Sequence, residues 1–197
     1  PEFMECARAS GTPIFRSGKM TSSVIVDLCV YLNRLLAPTT TVHGVLMDVF
    51  GAGILLTGNS GVGKSETAME LIKRGHRLVA DDSVLIKRIE NELVGTAPER
   101  IRYFMELRGI GIINVKNMYG SGAVMTEKAI ELVMELEPWR KDKEYDRIGG
   151  EDSKETILGL EIPKLTVPVS AGRNLAILIE VAARDQRLKG MGYDAAS

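Results

Sequence analysis

The chain has 197 residues, 45% apolar and 26% charged, with a formal net charge of −1. That size suits one compact domain with an appended segment, and the near-neutral charge carries no electrostatic footprint for nucleic acid or an anionic membrane. No run approaches the roughly 18 apolar residues of a membrane-spanning helix, and the two cysteines, Cys6 and Cys29, are too few for a disulfide framework, which places the chain in a reducing, cytoplasmic setting.

In chain order, Pro1-Glu2-Phe3 opens without an initiator Met and reads as a cloning remnant, and residues up to 20, broken by Gly11, Pro13 and Gly18, as the tail of a preceding domain. Met4 is followed by Glu5, Cys6 and Arg8, not by the apolar core of a signal peptide. The domain proper is expected over 21–197. Ser22 or Ser23 can cap a helix running to about Leu36, with Val26, Cys29, Val30, Leu32 and Leu36 on one face and Cys29 buried. Pro38 and the three threonines after it should stop that helix. Val42–Phe50 reads as one strand, Gly51-Ala52-Gly53 as a turn, and Ile54–Thr57 as a short buried strand.

A glycine-rich loop follows, then a helix over Glu66–Lys73 ended by Gly75. Leu78–Ala80 is a short apolar strand running into Asp81-Asp82, and Val84–Ile89 with Leu93–Val94 reads as a strand pair. Ile101–Glu106 fits helix or strand. Ile110–Val115 is apolar and punctuated by glycine, and Asn117–Gly122 reads as a mobile loop. Ile130–Leu136 alternates as a strand, Lys141–Lys154 is a polar loop, Leu165–Val169 a last strand and Leu175–Leu188 a final amphipathic helix. The fold class is α/β with a mixed sheet.

The loop Gly58-Asn59-Ser60-Gly61-Val62-Gly63-Lys64-Ser65 satisfies Gly-x4-Gly-Lys-[Ser/Thr], preceded by the apolar Ile54-Leu55-Leu56 and followed by a helix. Its glycines let successive N–H groups turn inward as a nest for phosphate oxygens, and the positive end of the helix adds to that field. Lys64 supplies a point charge at a transferring phosphate, and the Ser65 hydroxyl can ligate magnesium. Asp81 and Asp82 lie 16 and 17 residues beyond Ser65, at a strand end expected on the same sheet edge as the loop. So direct a connection from the loop helix to the acidic strand disfavours GTPase and motor architectures, and no Asn-Lys-x-Asp guanine motif occurs.

The run Val42-His43-Gly44-Val45-Leu46-Met47-Asp48-Val49, the loop itself, and Arg74-Gly75-His76-Arg77-Leu78-Val79-Ala80-Asp81-Asp82 resemble bacterial HPr kinase/phosphorylase. So do Glu106-Leu107-Arg108-Gly109-Ile110-Gly111-Ile112-Ile113-Asn114-Val115, Tyr145-Asp146-Arg147, and Pro168-Val169 through Gly172-Arg173-Asn174. The match spans about residues 42–190; Pro38-Thr39-Thr40-Thr41 lacks the arginine that the family pattern carries before its threonines. The resemblance implies a P-loop catalytic domain that is similar to phosphoenolpyruvate carboxykinase around its phosphate loop. It implies ATP- or pyrophosphate-dependent phosphorylation of a regulatory serine on the phosphocarrier protein HPr, and removal of that phosphate by inorganic phosphate to give pyrophosphate. Control of carbon catabolite repression, a homohexamer and magnesium are implied with it, with no nucleic-acid or membrane partner.

Carried over position by position, the resemblance makes Asp82 the acid/base group and His43 a catalytic histidine. Lys64 becomes the phosphate holder, Ser65 and Glu106 the magnesium contacts, and Arg147 a clamp on attacking phosphate. By residue type alone, Glu106 and Arg147 read as solvated surface charges, His43 as a structural hydrogen-bonder and His76 as a surface residue. Glu66 is expected to orient His43 or Asp82. The segment Leu107–Asn114 matches a family region tied to both activities, and Pro168–Arg173 one tied to dephosphorylation. Two other classes remain: a small-molecule P-loop kinase, and a non-catalytic nucleotide-binding module.

Overall fold

The computed structural model describes residues 2–139, 153–170 and 172–193, and the chain divides into two compact units, Pro1–Ala37 and Pro38–Ser197. The first holds helices α1 (Glu2–Ser10) and α2 (Thr21–Leu35), neither of which buries a residue. Helix α2 begins at Thr21, ahead of both expected serine caps, with Met20 at the N-cap and no side chain bonding the free amides. Cys29, expected to be buried, is exposed, because no second apolar layer within this unit covers the helix face that carries it.

The second unit is α/β. It runs through β1 (Thr39–His43), β2 (Val45–Val49), β3 (Ala52–Gly58), α3 (Lys64–Lys73), β4 (Arg77–Ala80), β5 (Ser83–Ile89), β6 (Glu92–Thr96), β7 (Phe104–Leu107) and β8 (Gly111–Asn114). It continues with α4 (Val115–Tyr119), β9 (Glu127–Ala129), β10 (Leu132–Pro138), β11 (Lys154–Ile157), β12 (Leu160–Val169) and α5 (Leu175–Gly190). Most expected elements are present, with several differences. Helix α2 ends at Leu35, ahead of Pro38 as expected, and the threonines that follow go on to form β1, consistent with the fit of β-branched side chains to a pleated surface. The single strand expected over 42–50 is two strands in different sheets, broken at Gly44. Ala52 and Gly53 belong to β3, with the turn at Phe50 and Gly51. Asn117–Gly122 is not a loop throughout: Asn114 caps α4 by accepting from the amide of Asn117, and a short 3-10 turn spans Ser121–Ala123. Lys154 opens β11 where a loop was expected.

Three sheets result, in the orders β11-β12-β10-β3-β2-β4, β1-β5-β6-β9 and β7-β8. In the six-stranded sheet β12, β10 and β3 are mutually parallel, and β2 runs antiparallel to both β3 and β4. Strands β3, β4, β10 and β12 therefore all end on one edge, which is where ligands gather in α/β sheets.

Strand alternation sorts the core into two layers. Val45, Met47 and Val49 of β2, Ile54 and Leu56 of β3, and Met134 of β10 face a cluster completed by Leu71 of α3 and Ile179 of α5. Leu46, Leu55 and Val133 point the other way, onto Val84, Ile86 and Leu93 of the four-stranded sheet. The unit is thus helices, mixed sheet and antiparallel sheet in succession. Each large side chain fully buried in these layers contributes about 1.5–3 kcal/mol by removal from water, which makes β3, covered on both faces, a rigid support for the glycine-rich loop at its end.

Candidate active site

Strand β3 delivers the loop 58–65. Gly58 has φ +127°, and a Cβ there would run into the carbonyl oxygen of Leu136 on neighbouring β10. Gly61, at φ +80°, has the guanidinium of Arg108 lying over it, 2.5–2.7 Å from where a Cβ would sit. Gly63, also left-handed, is the N-cap of α3, and no side chain caps that helix. Its free amides and dipole are thus left for an anionic ligand.

Lys64, 6% exposed, donates from Nζ to the carbonyls of Gly58 at 2.8 Å and Asn59 at 3.1 Å. An ammonium has three N–H donors, so one is left to meet a phosphate oxygen. Burial pushes the Lys64 pKa below the usual lysine value, against the opposing pull of Asp81, Asp82 and Glu66.

The adjacent aspartates part company. Asp81, 6% exposed, accepts from Ser65 Oγ at 3.0 Å through Oδ1 and from the Glu106 amide at 3.1 Å through Oδ2. Burial raises its pKa above the ordinary carboxylate value, and the hydrogen bonds from Glu106 and Ser65 work the other way. Asp82 adopts φ +64°, a left-handed conformation, which swings its carboxylate out of the sheet. Oδ1 then lies 3.0 Å from Nδ1 of His43, with the Asp82 side chain 69% exposed and that of His43 52% exposed. The structure therefore brings Lys64, Ser65, Asp81, Asp82, His43 and the Glu106 backbone to one edge. Only Asp82 of the two aspartates is open to an incoming group.

Glu106 lies on β7, paired with Ile112 of β8, its side chain on the exposed face of that ribbon. Among the described residues no three His, Cys, Asp or Glu side chains converge as a metal cage. The hydroxyl of Ser65 and the carboxylates of Glu106 and Asp81 are hard oxygen donors of the kind magnesium takes together with waters and substrate phosphates, so this edge fits that ion. Arg147 and Tyr145-Asp146-Arg147 lie outside the described residues.

Two expectations fail. His76 is a buried residue, 5% exposed, with Nε2 3.0 Å from Glu180 of α5 and its ring edge-on to Phe50 at 4.6 Å. Glu66 bonds neither His43 nor Asp82; it faces a cleft between α3 and the start of α5. Asp81 lies on the edge where the sequence placed it together with Asp82, and its signal is its place at the end of an apolar strand, although its hold on Ser65 and the Glu106 amide was not foreseen. Arg108 escaped assignment from sequence; its signal is Leu107-Arg108-Gly109-Ile110, closed by a hydrogen bond from the Ile110 amide to the Leu107 carbonyl, whose left-handed Gly109 marks a tight turn.

Comparison with known proteins bears on the same residues. Residues 34–197 match the HPr Serine kinase C-terminal domain family. The chain is 55% identical over 197 residues to the HPr kinase/phosphorylase of Geobacillus kaustophilus, covering 100% of this chain and 63% of that protein. It is 53% identical to the protein of that name from Bacillus velezensis, again over 100% of this chain and 64% of the relative. The chain thus spans a little under two thirds of the length of these curated relatives. Among solved structures, that of the Hpr(Ser) kinase/phosphatase from Coxiella burnetii superposes with a TM-score of 0.73 at 37% identity, over 80% of this chain and 96% of that one.

Proposed function

Since the chain belongs to the HPr serine kinase family by its C-terminal domain, we propose that it carries the catalytic part of a bifunctional enzyme. It phosphorylates a regulatory serine of HPr from ATP or pyrophosphate, and it removes that phosphate by phosphorolysis. The observation that carries the reading is Asp82, exposed and held 3.0 Å from His43 on the edge that bears the phosphate loop. A module that only bound nucleotide would have no use for an accessible acid/base there.

In the forward direction Asp82 takes the proton of the serine hydroxyl as its oxygen bonds to the γ-phosphorus and the bond to the leaving diphosphate breaks. In reverse, a phosphate oxygen attacks the phosphoserine phosphorus, protonated Asp82 returns its proton to the departing serine oxygen, and pyrophosphate leaves. His43 positions the Asp82 carboxylate. The loop amides and Lys64 hold the phosphates in both directions.

Ser65 and Glu106 would hold magnesium, with Asp81 fixing both through the Ser65 hydroxyl and the Glu106 amide. The ion, when bound, supplies charge neutralisation at the phosphate oxygens. Arg147 is assigned as the clamp on attacking phosphate. Residues 21–197 are taken as the catalytic domain, acting in the cytoplasm as part of a hexamer. No helix among the described residues is long and apolar enough to cross a membrane.

The test is incubation of the chain with HPr, ATP and magnesium, with phosphoserine read by mass spectrometry, followed by addition of inorganic phosphate. Serine-phosphorylated HPr that reverts with release of pyrophosphate is expected. ATP turnover on a small molecule alone would support a small-molecule kinase instead, and no turnover with any acceptor a binding module.

A further inference from the structure

The phosphate loop sits centrally in the six-stranded sheet. The strand before the aspartates, β4, lies two positions to one side of β3, and β12 lies two positions to the other. Helix α3 meets β4 and β7 on one flank and α5 on the other. The metal-fitting oxygens, Asp82 and His43 are thus all on the β4 side. On the β12 side, between α3 and the beginning of α5, opens a cleft of about 410 Å3 to which the steps above assign no residue, although Arg173 at its rim ends the segment that the family resemblance ties to dephosphorylation. Glu66, Thr67 and Glu70 line it from α3, and Arg173, Asn174 and Leu175 from the start of α5.

We propose that this cleft is the nucleoside subsite of the phosphoryl donor, holding the ribose and base of a nucleoside triphosphate. The inference rests on the reading of the loop as the donor site. A triphosphate threaded along the loop must present its reacting end to Asp82, so its other end emerges on the opposite flank. Glu66, the residue directly after Ser65, marks that exit.

The lining suits a nucleoside and not a second phosphate. The N-terminus of α5 is already capped, Asn174 accepting from the Ile177 amide at 3.3 Å, so it offers no bare anion nest like that of α3. Two carboxylates, Glu66 and Glu70, repel phosphate but accept hydrogen bonds from sugar hydroxyls, as acidic residues do at ribose sites. One Glu70 oxygen already receives Arg74 Nε at 3.1 Å, while Glu66 has no hydrogen-bond partner among the described residues. Leu175 gives an apolar wall, and the Arg173 guanidinium a planar cation of the kind that stacks on an aromatic base. The volume lies within the range of small-molecule sites.

Such an arrangement lets one loop accept donors with and without a nucleoside, because only the nucleoside reaches the cleft. Calorimetric titration of the whole chain with ATP and with inorganic tripolyphosphate, both with magnesium, reads the difference directly. Leu175→Trp, which fills the cleft, is expected to weaken ATP about tenfold, equivalent to about 1.4 kcal/mol, and to leave tripolyphosphate within twofold. Leu175→Ala, which removes the wall without adding bulk, gives a smaller loss of the same selectivity and serves if the tryptophan variant does not fold. Equal weakening of both ligands, or of neither, overturns the proposal. Because no phosphoryl acceptor takes part, this result is independent of whether HPr is the substrate.

Discussion

His43 and Asp82 meet, Nδ1 to Oδ1 at 3.0 Å, where two antiparallel strand segments both change sheets, and the Gly44 amide donates to the Asp82 carbonyl at 3.2 Å beside them. The register is His43 with Ser83 on one side of this point and Leu46 with Ala80 on the other. The pair is therefore fixed by backbone as well as by side chains. Asp82→Asn, which keeps shape but not basicity, is expected to lower phosphorylation of HPr by about 10²–10⁴ while nucleotide binding survives. A full rate would move the role to another group. On the proposed assignment His43 acts through Asp82, so His43→Ala should lower the rate less, and the double variant should be no worse than Asp82→Asn alone. Additive losses would give His43 a separate task.

Lys64→Ala is expected to abolish both directions of the proposed reaction, since in it both pass through one phosphate site and a lost charge there removes several kcal/mol of transition-state stabilisation. The lowered pKa of Lys64 adds a pH signature. As the proposed phosphate holder Lys64 acts in its cationic form, so affinity for ATP should fall as the free protein loses that proton. With the pKa lowered, the fall begins below the usual lysine value of about 10.4. Titrations at rising pH should show it in the native chain and not in Lys64→Met.

Two alanine substitutions in the loop should separate backbone from side-chain obstruction. At Gly58 the new Cβ meets the Leu136 carbonyl on the strand paired with β3, which cannot move alone. A loss of about 3 kcal/mol or more in denaturant unfolding is expected. At Gly61 its nearest neighbours are the end of the flexible Arg108 side chain, so chiefly the strain of a left-handed alanine remains, about 1–2 kcal/mol. Similar losses at both sites would show that the Leu136 contact is not what fixes the loop.

Arg147→Ala is expected to impair phosphorolysis more than phosphorylation. The reverse step gathers charge from free phosphate and phosphoserine together, whereas the forward donor is already tethered in the loop. Both rates measured on one preparation decide it, and equal losses would assign Arg147 to docking or structure.

The phosphate loop was legible because its pattern is local and its function depends on backbone that glycine alone permits. The split between Asp81 and Asp82 was not: it depends on one left-handed residue, and two identical side chains carry no mark of which turns outward. His76 was misread because Arg74 and Arg77 beside it are partly exposed, while its burial comes from Phe50 and from Glu180, 104 residues away. The break at Gly44 was invisible because strand-favouring residues stand on both sides of it, Val42 before and Val45 to Val49 after. Periodicity reports that a strand is buried but not which sheet it has joined.

The seam between the two sheets also makes the His43–Asp82 contact a gauge of their alignment. His43 is the last residue of a strand in the four-stranded sheet, whereas Asp82 follows the end of a strand in the six-stranded one. The phosphate loop is anchored in the six-stranded sheet alone. Shear between the layers therefore alters the spacing of His43 and Asp82 while the loop keeps its shape. With the roles proposed for the loop and for this pair, phosphate affinity and proton transfer would be mechanically separable, the second open to tuning by a perturbation of the four-stranded sheet alone.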